Sequence, residues 1–382
     1  MMMKINKEKL GIYIHIPFCK SKCIYCDFVS VTNQTLIEKY FNYLLKEIEM
    51  YKEVLNKFKV VTIYFGGGTP SLVDGLYIEK VINKIKEYND LNEILEFTIE
   101  VNPGTINREK LEIYKNIGIN RISIGLQSTN NNTLKMLGRI HDYEEFLESY
   151  NLIREVGFDN VSVDLMFGLP SQTIEMFESS IDKVIKLNPE HISAYSLKVE
   201  ESTKLYKLIK KGILEEPNEE IDRNMYELLI DKLSRNKYNL YEISNFSKKG
   251  FESKHNIIYW ERENYLGLGL AAHGFIDNRR YGNVISFNDY FNIIDNKTKP
   301  VEEISNICEE ENLFEEIMLG LRLSSGINYK EINKKYNIDF IKEHNQEIIE
   351  LLEEEMIQMN NDSIWITKRG MSISNTIITK LI

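Results

Sequence analysis

The sequence predicts an α/β fold, a partial parallel (β/α)6 barrel followed by a C-terminal helical, winged-helix-like domain. Three observations carry this reading. Six short runs rich in β-branched residues alternate with amphipathic stretches through residues 11–197, the rhythm of successive βα units. Beyond them the rhythm loosens into a Gly- and aromatic-rich stretch, Asn245 to Gly282. Residues 301–382 then read as helices followed by a hairpin. The 382-residue length accommodates two or three domains. The expected divisions are 1–240 for the barrel, 241–300 for an extension packing on it, and 301–382 for the C-terminal unit.

Seven segments read as strands: 11–16 (GIYIHI), 60–65 (VVTIYF), 96–101 (EFTIEV), 121–126 (RISIGL), 161–167 (VSVDLMF), 191–197 (HISAYSL) and 238–243 (YNLYEI). The first six suit strands buried on both faces of a parallel sheet. Residues 35–56 read as a helix, with Leu36, Tyr40, Leu44, Ile48, Tyr51 and Leu55 on one face. Further helices are expected near 76–88, 107–117, 142–156 and 173–187. In the C-terminal unit, helices near 310–323, 329–335 and 339–356 precede a hairpin turning at Asn360–Asp362. No low-complexity linker and no repeat beyond the β/α rhythm interrupts the chain.

With 43% hydrophobic and 27% charged residues the composition is that of a globular protein. A formal net charge of −11, from 47 Lys+Arg against 58 Asp+Glu, argues against a nucleic-acid partner. Residues 301–382 hold 16 acidic and 8 basic side chains, so the winged-helix-like unit reads as a lid or partner surface, not a DNA reader. The start, MMMKINKEKLG, lacks the apolar region of a signal peptide, and no apolar run approaches the ~20 residues of a membrane span. The expectation is a reduced, cytoplasmic protein.

Three of four cysteines, Cys19, Cys23 and Cys26, fall within eight residues, and Cys308 stands far away. Such clustering suits a metal or redox site better than a disulfide framework. The spacing C-x3-C-x2-C follows the first strand directly. Three thiolates leave one iron of a [4Fe–4S] cluster open to a non-protein ligand, whereas four would close a site. Zinc with a distant fourth ligand, or buried structural cysteines, are the other readings. Cys308, opening an apolar helical stretch, reads as a buried small hydrophobe.

The other strand ends carry polar residues where a parallel barrel places its chemistry. Residues 64–71 (YFGGGTPS) follow the second strand, and glycines there let the backbone approach a ligand closely. Glu100 ends the third strand, Gln127 the fourth with Arg139 shortly after, and Asp164 lies in the fifth. Buried carboxylates need partners, which a cationic, hydroxyl-bearing ligand supplies, and a guanidinium suits a carboxylate. Taken singly, each has a structural ion pair or a helix cap as its other reading.

With Tyr25 before its last cysteine, the C-x3-C-x2-C motif resembles the signature of the radical S-adenosylmethionine (SAM) superfamily. With the neighbouring motifs, nearly the whole chain resembles the oxygen-independent coproporphyrinogen III oxidase-like branch. The resemblance implies a [4Fe–4S] cluster on Cys19, Cys23 and Cys26, with SAM chelated to the open iron and reductively cleaved to a 5′-deoxyadenosyl radical. It implies SAM contacts at Tyr13, Tyr25, Gly67, Gly68, Thr69, Glu100, Gln127, Arg139 and Asp164. The oxidase of this branch has a further cysteine two positions after the third ligand, where this chain has Phe28, and a longer N-terminal arm. Residues 255–260 (HNIIYW) instead resemble the HemW family of heme chaperones, implying His255 as a heme ligand with Tyr259 and Trp260 beside the porphyrin. A satisfied core histidine is the other reading.

The resemblance therefore implies a chaperone that carries cluster, SAM and heme. It would hand heme to hemoproteins, respiratory and membrane-associated ones among them, and a homodimer belongs to this expectation. Oxidative decarboxylation of coproporphyrinogen III is the alternative, and a radical SAM reaction on another tetrapyrrole or an unknown substrate the third. Residues 267–272 (GLGLAA) fit a G-x-G-x-x-A dinucleotide pattern but open no βαβ unit, so no NAD site is expected. His15 and His273 read as structural, and His141 and His191 border elements without a partner signature.

Overall fold

The computed structural model describes residues 7–382. Strands β1 (Lys9–Ile16), β2 (Lys59–Gly67), β3 (Glu96–Val101), β4 (Arg121–Gln127), β5 (Val161–Phe167) and β6 (His191–Ser196) pair in parallel, each with the next in sequence. Helices connect them, and each begins and ends where local chemistry dictates. Tyr143–Val156, for example, starts on a capping box in which Asp142 and Glu145 satisfy each other's backbone, and stops at Gly157, whose φ of 91° closes the last turn.

The barrel strands are apolar on one face only. Ile12, Ile14, Ile63, Phe65, Phe97, Ile99, Ile122, Ile124, Val161 and Val163 point to the helices and are buried. The alternate positions carry Thr62 and Tyr64, Thr98 and Glu100, Arg121 and Ser123, Ser162 and Asp164, His191 and Ser193. Among these, Tyr64 bonds Glu100, Ser123 and Ser162 bond Asp164, and Ser162 also meets His191 and Ser193. The strands are buried on both faces, as expected, but the inner face is polar rather than apolar.

Among the described residues the sheet has twelve strands. At the β6 edge, β7 (Asn239–Glu242) and β8 (Asn245–Ser247) add antiparallel. At the β1 edge, β9 (Tyr265–Leu268) adds parallel, followed antiparallel by β10 (His273–Ile276), β11 (Arg279–Asn283) and β12 (Val301–Asn306). The Gly/aromatic extension therefore continues the barrel sheet, and residues 301–306 belong to that sheet rather than to the C-terminal unit.

Glu47, on the helix Ile37–Met50, joins the extension to the barrel. Fully buried, it accepts hydrogen bonds from Gly269 N (2.8 Å), Asn283 Nδ2 (2.7 Å) and the Tyr290 hydroxyl (2.5 Å). The helix expected over 35–56 breaks at Tyr51, which caps Ile37–Met50, and a second helix, Lys52–Lys57, follows.

The C-terminal unit has helices Glu309–Gly320, Tyr329–Tyr336, Phe340–Glu343 and Asn345–Glu353. Its small sheet comprises β13 (Ile327–Asn328), β14 (Ile357–Met359) and β15 (Ser363–Ile366), with β15 in the middle. This is the expected winged-helix arrangement. Glu315 anchors it to the extension through Arg262 (3.1 Å) and Arg280 (2.6 Å). Cys308 is exposed at the N-cap of the first of these helices, not buried as expected; the apolar stretch begins only after it. Among the described residues no helix is long and apolar enough to cross a membrane.

Candidate functional site

The cysteine loop leaves β1 and is held to distant parts of the fold by backbone hydrogen bonds. Cys19 N donates to Val31 O (2.9 Å), Ile24 N to Leu137 O (3.0 Å), and Leu205 N to Ile24 O (2.8 Å). The Thr69 hydroxyl points at Cys19 Sγ (3.6 Å) and Arg139 Nη1 at Cys23 Sγ (3.7 Å). Burial pushes the Cys26 thiol up to about 11, with the neighbouring cysteines adding to the shift. A buried thiolate needs a compensating cation, and soft thiolates select zinc or iron–sulfur groups. Among the described residues no three His, Cys, Asp or Glu gather tightly enough for a single metal ion. Three thiols on one fixed loop, with hydrogen-bond donors aimed at two sulfurs, fit a three-ligand cluster.

The cysteines border a cavity of about 590 Å³ at the C-terminal ends of the strands. Tyr25, Gly67, Gly68, Thr69, Glu100, Gln127, Arg139 and Asp164 all line it. Tyr13 does not. Its hydroxyl sits 3.1 Å from His15 Nδ1 and its ring stacks at 6.2 Å on Tyr64, so it supports the wall from behind. Tyr64, Asn102, Arg121, Ser123, Ser193 and Tyr195 line the cavity as well and were not anticipated. Their signal was a polar residue at every second position of otherwise apolar strands. Asn102 is central: its Nδ2 donates to Thr69 Oγ1 (2.9 Å) and its Oδ1 accepts from Arg139 Nη2 (2.8 Å).

Gly68 answers to the chain itself. A Cβ there would lie 2.8 Å from Phe18 O and 2.9 Å from Ile16 O, in the backbone that carries the cysteine loop. Gly68→Ala is therefore expected to displace the loop and cut cluster retention several-fold while far-UV circular dichroism stays native. Iron content after anaerobic reconstitution measures this, and wild-type iron loading in the variant would refute it. At the end of β4, Gln127 has φ 71° beside a register shift between Gly125 and Gln127. This strain is stored where the strand turns its amide into the cavity.

Besides Lys22, Asp27, Lys198 and Glu200, the cavity is lined by two carboxylates, Glu100 and Asp164, and two guanidiniums, Arg121 and Arg139. Burial pushes Glu100 up to about 7; hydrogen bonds from the Tyr64 hydroxyl (2.8 Å) and the Gly67 backbone oppose this, and Asp164 reinforces it. Burial also raises Asp164, against hydrogen bonds from Ser193 and Ser123 and the charge of Arg121. Arg121 is 2% exposed. A ligand with both cationic and anionic groups and hydroxyls complements this set, and SAM has that chemistry. Phe28 stands on the rim, 60% exposed.

His255 lies beneath the cavity, buried (1% exposed), with Nδ1 2.8 Å from the Thr62 hydroxyl and Nε2 2.7 Å from the Tyr259 hydroxyl. Both ring nitrogens are engaged, so this geometry offers neither to an iron. His15 and His191 are buried and hydrogen-bonded, as expected of structural histidines. His141 is buried with neither ring nitrogen bonded, and His273 is exposed, unlike a core histidine.

Comparison with known proteins places these features among relatives. The family model for the radical SAM superfamily matches residues 13–184, and that for the HemN C-terminal domain matches residues 307–373. The heme chaperone HemW of Lactococcus lactis subsp. lactis (strain IL1403) is 36% identical, covering 97% of this chain and 96% of its own. HemW of Bacillus subtilis (strain 168) is also 36% identical, over 96% of this chain and 97% of its own. Among solved structures, coproporphyrinogen III oxidase (HemN) from Escherichia coli superposes with a TM-score of 0.86 over 99% of this chain and 91% of that one. At 21% identity that likeness speaks for the fold alone.

Proposed function

We propose, on the premise that this chain belongs to the HemW family, that it is a heme chaperone that binds heme and passes it to recipient hemoproteins. Near full-length similarity to HemW relatives is the observation that carries the reading. Cys19, Cys23 and Cys26 would hold a [4Fe–4S] cluster. Arg139, with Asn102 fixing its guanidinium, would orient the carboxylate of SAM, and Glu100 and Asp164 its cationic and hydroxyl groups. What cluster and SAM supply when bound is one-electron chemistry. The reading further includes a cytoplasmic location, recipients in the respiratory chain and a homodimeric state.

The second reading, oxidative decarboxylation of coproporphyrinogen III, is favoured by the complete SAM-type cavity. Phe28 weighs against it, because an exposed phenyl group stands where the oxidase has a further thiol. One anaerobic experiment separates the two. Reconstituted chain given reductant, SAM and coproporphyrinogen III is expected to release no CO2 above background, while titrated heme gives a saturable Soret change. Turnover at enzymatic rates would defeat the chaperone reading.

A further inference from the structure

We propose that His255 is a positioning residue for Glu100, acting through Tyr64, and that it does not ligate heme iron in the folded chain. The inference rests on the assignment of the cavity to SAM. Three elements converge on the imidazole. Its Nδ1 meets Thr62 on β2 and its Nε2 meets Tyr259 one helical turn later. The helix that carries it, Lys254–Trp260, is pinned to β3, because Glu96 accepts from Ser253 Oγ (3.0 Å) and from Lys254 N (2.7 Å).

The ring so fixed stacks on Tyr64 with centroids 5.1 Å apart and planes at 22°. Thr62 and Tyr64 are two residues apart on one strand and so share the inner face. The Tyr64 hydroxyl in turn donates to Glu100 Oε1 at 2.8 Å. A path of direct contacts thus runs from His255 through the Tyr64 ring to a carboxylate lining the cavity. Burial and the charge of Arg121 keep the imidazole neutral, so it acts by shape and hydrogen bonding. Presenting Nε2 to an iron would break the Tyr259 bond and open the β2–β3 wall to a porphyrin.

The test measures SAM and heme binding separately on the full-length, cluster-loaded chain. His255→Ala and Tyr64→Phe are each expected to weaken SAM about tenfold, the size of a lost hydrogen bond to a charged group. The double variant should lose little more than either alone, as expected for residues in one path. Heme titration, read at the Soret band, should stay within about twofold of wild type in His255→Ala. Tyr259→Phe preserves the ring's packing and frees Nε2, so it decides the question even if His255→Ala fails to fold. An iron-ligand role makes it bind heme more tightly, whereas a positioning role leaves heme unchanged and weakens SAM. Loss of heme affinity with SAM affinity intact in His255→Ala would overturn the proposal. A wild-type chain that binds no SAM would instead defeat the cavity assignment beneath it.

Discussion

Glu47→Ala is expected to lower the unfolding free energy by about 3–5 kcal/mol, because it strands three buried donors at once. Gly269 N, Asn283 Nδ2 and the Tyr290 hydroxyl all end on this carboxylate, which is itself fully buried. The same residue predicts a pH dependence. Burial pushes Glu47 up to about 7 in the fold, against an ordinary 4.5. Between those values the folded chain holds a proton that the unfolded chain has lost, so stability falls as pH rises. For this group the fall amounts to about 3 kcal/mol, complete once pH passes 7. Glu242, also buried and pushed up to about 7, acts in the same direction. Glu47→Gln keeps the volume and lacks the titration, so its deficit against wild type should shrink from pH 5 to pH 8. Urea unfolding at both values is the measurement. An alanine variant within about 1 kcal/mol of wild type would show that the extension is held to the barrel by other contacts.

The barrel was legible because each strand is short, β-branched and bounded by turn residues. The expected β3 and β5 boundaries, 96–101 and 161–167, coincide with those observed. What escaped notice was the alternation within those same strands. EFTIEV alternates polar and apolar throughout, RISIGL carries Arg121 and Ser123 and VSVDLM carries Ser162 and Asp164 on the inner face, and those residues build the lumen. Arg121 was visible as a charge opening an apolar strand, and Asn102 as a neighbour of Glu100. Strands β9 to β12 were not legible, since segments of four to six residues, three of them interrupted by glycine, carry too little periodicity. They form because β1 offers an unpaired edge. Gly68 reads in the sequence as a place where the backbone approaches a ligand, and in the fold a Cβ there meets the chain itself. The obstruction is the Phe18 backbone. His255 shows the same limit: a motif resemblance brought out the residue, and only the folded chain reveals the Thr62 and Tyr259 hydroxyls at its two ring nitrogens.

SAM affinity should rise with pH by about tenfold between pH 6 and 8 and level off above. In the open cavity Glu100 is held up to about 7 by burial, with Asp164 adding to the effect. At pH 6 most molecules therefore carry a protonated Glu100. A sulfonium and an ammonium entering the cavity favour the carboxylate, as do ribose hydroxyls that donate to it, so the bound state holds fewer protons than the free one. Linkage then requires binding to release a proton and the affinity to climb until Glu100 is ionised without the ligand. The thiols contribute no slope in cluster-loaded protein, because metal-bound sulfur is already deprotonated. Anaerobic calorimetry in two buffers of different ionisation enthalpy, at pH 6 and pH 8, counts the proton directly. Glu100→Gln should bind more weakly at pH 8 and keep only the slope that the amino group of SAM itself contributes. A flat wild-type profile would mean that the Tyr64 hydroxyl and the Gly67 amide already outweigh burial, leaving Glu100 ionised before any ligand arrives.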